Sequence, residues 1–127
     1  MSRKKSKKYI RSWTETPCEK VELPFTIESL RFLLRYGAST DSPYTHQQIA
    51  DWAYSFWWEC AEGSLSESSD PQLSAGAEIA LDANAQWELF LVNTYSIEEL
   101  QQLDFSSVRL PPEWFEEWEN QLRKIVV

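Results

Sequence analysis

The stretch DWAYSFWWEC, residues 51–60, places three tryptophans, a tyrosine and a phenylalanine in ten positions. On a helix, at about 100° per residue, Ile49, Ala53, Phe56 and Cys60 gather on one side, with Trp52 and Trp57 flanking them. Tyr54 and Trp58 fall elsewhere, beside Ala50 and Ala61. The polar residues Gln48, Asp51, Ser55, Glu59 and Glu62 are confined to a narrow wedge. This apolar arc is wider than a surface helix needs. Two arrangements satisfy it. The helix is central, packed on both flanks by the third and fifth helices of the chain. Alternatively, Tyr54 and Trp58 stand in solvent as a partner-binding patch, since aromatic side chains are favoured interface anchors.

Outward from this segment, the sequence reads as helix after helix. THQQ (45–48) supplies a capping box, Thr45 and Gln48 each satisfying a backbone N–H that the first turn leaves orphaned, and Gly63 stops the helix near Glu62. Upstream, Thr26 is a good N-cap, and Ile27, Leu30, Phe32, Leu33 and Leu34 give an apolar stripe. Gly37 sits where a C-cap glycine belongs. Downstream, the loop SLSESSD (64–70) leads to Asp70 as N-cap and Pro71 at the first helical position. Ile79, Ala80, Ala83, Trp87, Phe90 and Leu91 then share one face to about Thr94. The end of this helix, LFLVNTY, also suits a buried strand, but the unbroken periodicity before it favours helix. Ser96 and Glu99 form a second capping box on a short fourth helix, with Leu100 and Leu103 facing inward. Residues 104–112 form a loop that packs through Phe105, Val108 and Leu110. The last helix opens at Pro112. Its acids Glu113, Glu116 and Glu117 lie near the positive end and Arg123 and Lys124 near the negative end, both favoured by the helix dipole. Trp114, Phe115, Trp118, Leu122, Ile125 and Val126 form its buried stripe. The fold class is therefore all-α: a single-domain bundle of about five helices over residues 17–127, entered through an extended lead-in from Pro17 to Phe25. Residues 1–16 read as a flexible basic tail.

Totals agree. A chain of 127 residues fits one domain and buries a core without staples. Three glycines are too few for a many-turned β fold or a glycine-rich phosphate loop. Cys18 and Cys60 lack metal-ligand spacing and are expected to be reduced thiols in a cytoplasmic protein. MSRKKSKKYIRSW has the charges of a signal peptide without its apolar run, and no segment approaches the ~18 apolar residues of a membrane span.

Charge is unevenly distributed. Arg3, Lys4, Lys5, Lys7, Lys8 and Arg11 fall in the first eleven residues, which hold no acid. The remainder carries six basic residues against all twenty acids, a net of −14. An acidic body repels nucleic acid and favours basic partners, while the arm does the opposite. The arm is readable as a solubilising leader, as a tether to nucleic acid or an acidic assembly, or as a segment that docks on its own body.

Catalytic chemistry is poorly served. His46 is the only histidine, in a helical first turn whose partial positive charge discourages protonation. A Cys60–His46–Asp51 nucleophile set is opposed by spacing: fourteen residues along one helix is roughly 20 Å. One histidine and two separated cysteines do not make a zinc site, and neither Glu-x-x-His units nor calcium loops occur. The chain is expected to be no enzyme and to need no cofactor or metal. YTHQQIADWAYSFW resembles the first helix of a helix-turn-helix, but a serine-rich acidic segment follows it instead of a basic recognition helix.

The order IESLRFLLRYG (27–37), THQQIADWAYSFW (45–57), AQWELFL (85–91) and a closing amphipathic helix resembles the small helical bacterial immunity proteins, most nearly the colicin-D-type immunity family. The resemblance implies an acidic helical protein that binds a basic nuclease toxin. It assigns no individual residue a role, and the basic tail and the seven tryptophans depart from that family. From the residues themselves, the expected function is binding of a basic protein partner. Tyr54 and Trp58 would serve as anchors, and Asp51, Glu59 and Glu62 with Glu113, Glu116 and Glu117 as the charges that steer it. The alternative is an adaptor working through Arg3, Lys4, Lys5, Lys7, Lys8 and Arg11 of the tail.

Overall fold

The computed structural model describes residues 13–125. Five α-helices, and no strand among the described residues, make the fold: α1 (Ile27–Ala38), α2 (His46–Ala61), α3 (Pro71–Thr94), α4 (Ile97–Gln102) and α5 (Pro112–Ile125). A 3₁₀ turn at Phe105–Ser107 interrupts the loop before α5. Local chemistry sets most boundaries. Thr26 caps α1, both predicted capping boxes form on α2 and α4, and Asp70 with Pro71 opens α3.

The helices α2, α3, α5 and α1 stand around one core, with α3 between α2 and α5. Leu30, Leu33 and Leu34 meet Ile49, Ala53 and Phe56, Ala80, Ala83, Trp87 and Leu91, and Phe115, Trp118 and Leu122 within it. The pairing of α2 with α3 is antiparallel: Asn84 donates to the Ala50 carbonyl at 3.1 Å near one end, while Trp57 and Ala61 share a cleft with Ala77 and Leu73 at the other. On the far side, α5 is tied to α1 by Glu119, which accepts from Arg35 Nε at 2.8 Å.

Three expectations change. First, α2 is not flanked by α3 and α5. It packs along α3 and, on its other side, against α1 and the lead-in, where Trp52 Nε1 donates to the Leu23 carbonyl at 3.2 Å and Phe25 meets Trp52 and Phe56. The closing helix reaches α2 at its first turn, through Phe115 on the His46 ring. Second, Gly37 is no cap. Ser39 ends α1 in an extended conformation, and Gly37 lies buried in the last turn, where an added Cβ would stand 2.1 Å from Cδ1 of Phe115. A ring from α5 occupies the place of a side chain. Third, the body begins earlier than Pro17. Trp13 is 6% exposed and stacks on Phe105 at 5.9 Å, and Glu15 accepts from Gln47 Nε2 at 3.2 Å and from Trp87 Nε1 at 3.1 Å.

Candidate functional site

With its inner side in the core and its flanks taken by α3 and the lead-in, α2 turns one face outward. Asp51, Tyr54, Trp58 and Glu62 follow at steps of three and four residues, so they form one line along the helix. All four are exposed. Tyr54 is 45% and Trp58 44% exposed, and Tyr54 also meets the half-buried Trp57 at 5.6 Å. The aromatic pair thus has a carboxylate at either end. With side chains of this size, the exposed part of each ring is on the order of 100 Å², so covering both in an interface contributes up to about 2 kcal/mol apiece.

Beside Tyr54 lies a cleft of about 300 Å³, lined among others by Glu15, Cys18, Asp51, Asn84 and Glu88. It carries three carboxylates at the seam between the lead-in, α2 and α3. Glu59, also assigned to the steering set, is occupied differently. Its Oε1 accepts from Ser64 N at 2.8 Å and from Ser64 Oγ at 2.6 Å, and these bonds hold its carboxyl below the usual range. Glu59 fastens the turn after α2 and is half-buried. Glu113, Glu116 and Glu117 are exposed on α5, on the other side of α3 from α2. The structure therefore brings Asp51, Tyr54, Trp58 and Glu62 together and leaves the α5 acids on a second surface. There Glu117 shares a shallow cleft with Asp82, Trp114 and Trp118. Arg3, Lys4, Lys5, Lys7, Lys8 and Arg11 lie outside the described residues.

The groups able to do chemistry are held apart. His46 is 1% exposed. The Leu110 N–H donates to its Nδ1 at 2.8 Å, so Nε2 must carry the proton that meets the Gly37 carbonyl at 2.8 Å. Both ring nitrogens are used, and burial, reinforced by the Arg109 charge, lowers the pKa to about 4. Cys18 sits near the start of α2 and Cys60 at its end; both are free thiols. Burial raises both thiol pKa values, with Asp51 and Glu15 adding to it at Cys18 and Glu59 at Cys60. Each thiol is thereby made a poorer nucleophile at neutral pH.

One signal of this face was present in the sequence and passed over. Between Arg35 and Arg109 there is no lysine or arginine, while that stretch holds twelve acids. It includes the whole of α2, α3 and α4. The basic residues of the body lie on the lead-in, α1, the loop before α5, and α5 itself. Any surface formed by α2 and α3 is therefore of one sign. Glu15 and Glu88, which the structure adds to that surface, had no periodic relation to Asp51 that would have exposed them.

No family model, curated protein or solved structure matches this chain.

Proposed function

We propose that this chain is a non-enzymatic cytoplasmic binding module that captures a basic protein partner on the outer face of α2, in the manner of an immunity or inhibitor protein. The observation that carries the reading is the line Asp51–Tyr54–Trp58–Glu62, two exposed rings between carboxylates on a helix otherwise well packed. The surrounding α2–α3 surface offers no cation of its own to compete for those carboxylates. Its field draws in a positively charged partner and raises the rate of encounter. Tyr54 and Trp58 then give up water and slow dissociation, as buried aromatic anchors do. The lowered His46 pKa and the protonated thiols support a role in binding without turnover.

The test is binding kinetics against a panel of basic nuclease-toxin domains. For any member that binds, Asp51→Lys with Glu62→Lys slows association by about tenfold at low salt, and the salt dependence flattens. Tyr54→Ala and Trp58→Ala chiefly raise the dissociation rate. Glu59 is left intact because it braces the turn through Ser64. A complex that forms at the same rate with both charges reversed places the interface elsewhere and overturns the assignment.

A further inference from the structure

We infer that the groove between α3 and α5 is a seat for an arginine side chain presented by a partner protein. It lies across α3 from the α2 face, and either surface can serve without the other.

Two helices supply its walls. Asp82 and Gln86, one turn apart on α3, face Trp114, Glu117, Trp118 and Gln121, which follow at helical spacing on α5. The space they line is about 350 Å³. That is near the bottom of the roughly 300–1,000 Å³ range of small-ligand sites, so the groove takes one side chain.

The aromatic part of the groove is fixed in place. Trp118 is 4% exposed, and its Nε1 donates to Asp82 Oδ2 at 2.8 Å. Trp114, half-buried, meets Trp118 at 6.4 Å and 74° and Phe90 at 6.0 Å and 88°. These two edge-on contacts set the plane of the Trp114 ring before any ligand arrives. A cation within about 6 Å of an indole centre, over its face, is attracted by the ring quadrupole, and tryptophan attracts it most strongly.

The polar part supplies acceptors. Trp118 occupies one Asp82 oxygen and leaves the other. Glu117 is exposed and forms no hydrogen bond or ion pair among the described residues. No cation lines the groove: α3 carries neither Lys nor Arg, and Arg123 and Lys124 of α5 line a separate cleft that shares only Glu117 with this one. An indole and two carboxylates thus await a positive group, and the acceptors decide which. A quaternary ammonium would leave both carboxylates facing methyl groups. A lysine ammonium can donate, but it is a compact charge that holds its water strongly. A guanidinium is planar and weakly hydrated, stacks on an aromatic face and donates to a carboxylate as a fork. Arginine fits both parts of the groove at once.

The experiment titrates the isotope-labelled full chain with N-acetyl-arginine amide and follows amide and indole N–H chemical shifts. Shifts at Asp82, Trp114 and Glu117 are expected, with a dissociation constant of roughly 1–10 mM for so small a ligand. N-acetyl-lysine amide should bind about threefold more weakly, and tetramethylammonium more weakly still. Trp114→Leu, which keeps apolar bulk against Phe90, and Glu117→Gln, at an exposed position, should each weaken arginine binding by about fivefold. Tyr54→Ser with Trp58→Ser should leave it unchanged. Shifts confined to α2 place the arginine on the other face and overturn the inference. Equal affinity for the three cations, or affinity retained in both α5 variants, overturns it as well. Free arginine carries a carboxylate that Asp82 and Glu117 repel, so it should bind more weakly than the capped amide. Equal or tighter binding of free arginine assigns the groove to a small molecule and removes the partner protein.

Discussion

Acidification should loosen this protein through a single imidazole. His46 is neutral in the fold, with a pKa of about 4 against 6.5 for the free side chain. Its Nδ1 accepts from the buried Leu110 N–H, so a proton added there would set donor against donor. As pH falls through 6.5, the unfolded chain takes up a proton that the folded chain refuses, and stability declines until about pH 4, where both are protonated. The full span of about 2.5 units corresponds to roughly 3 kcal/mol, of which about 2 kcal/mol is lost between pH 7.5 and pH 5. That window lies above the ordinary range of carboxylates, so the histidine dominates it. Urea unfolding followed by tryptophan fluorescence at the two pH values measures the loss. His46→Gln provides the control. It starts less stable at pH 7.5, by about 1–3 kcal/mol for the Leu110 N–H left without its acceptor. It should lack the histidine increment on going to pH 5, while carboxylate effects are shared by both chains and cancel. Because His46 is the only histidine, its ring resonances report directly. A midpoint near 6.5 in the folded protein, or equal pH dependence in the two chains, would refute the linkage.

Three further variants separate packing from exposure. Gly37→Ala gains about 1 kcal/mol of helix propensity but drives a methyl into the Phe115 ring, and a net loss of about 1–3 kcal/mol is expected, read as a lower thermal midpoint. A rise in midpoint would show that Phe115 gives way freely. Tyr54→Ser with Trp58→Ser should change unfolding free energy by no more than about 1 kcal/mol, because both rings are nearly half in solvent, whereas Trp52→Ala should cost about 3–5 kcal/mol; similar losses from the two changes would show that Tyr54 and Trp58 are core residues.

What could be read from the sequence was what short-range chemistry decides. Thr45 with Gln48, Ser96 with Glu99, and Asp70 with Pro71 act within four residues, and each helix they announce begins where they stand. Gly37 was misread because its reason for being glycine is Phe115, far along the chain. Trp13 was absorbed into the basic tail because composition outweighed the one residue that finds a pocket against Phe105. The helical wheel of α2 separated Tyr54 and Trp58 from the inner residues. It could not say whether another helix would cover them, since that depends on α5 reaching only the first turn of α2. Glu59 looked equivalent to Glu62 until the turn brought Ser64 back onto its carboxylate.

The two faces of α2 explain how the proposed binding surface can sit on so aromatic a helix. At its first turn, His46 joins the end of α1 to the loop before α5, and Gln47 ties down the lead-in through Glu15 and Thr16. Further along, Trp52 donates to Leu23 and stacks on Phe56 at 5.2 Å, and at the end Glu59 closes the turn. Every turn of the helix is thus held from the inner side or the flanks, so the positions of Asp51, Tyr54, Trp58 and Glu62 are set before any partner arrives. Less backbone freedom is then left to lose on association, which is where preorganised interfaces gain affinity. The same bracing concentrates the acid sensitivity of the fold at His46, one turn from Asp51. Because the folded His46 takes up its proton only near pH 4, acid between pH 7.5 and pH 5 lowers the stability of this scaffold while leaving the geometry of its outer face as it is.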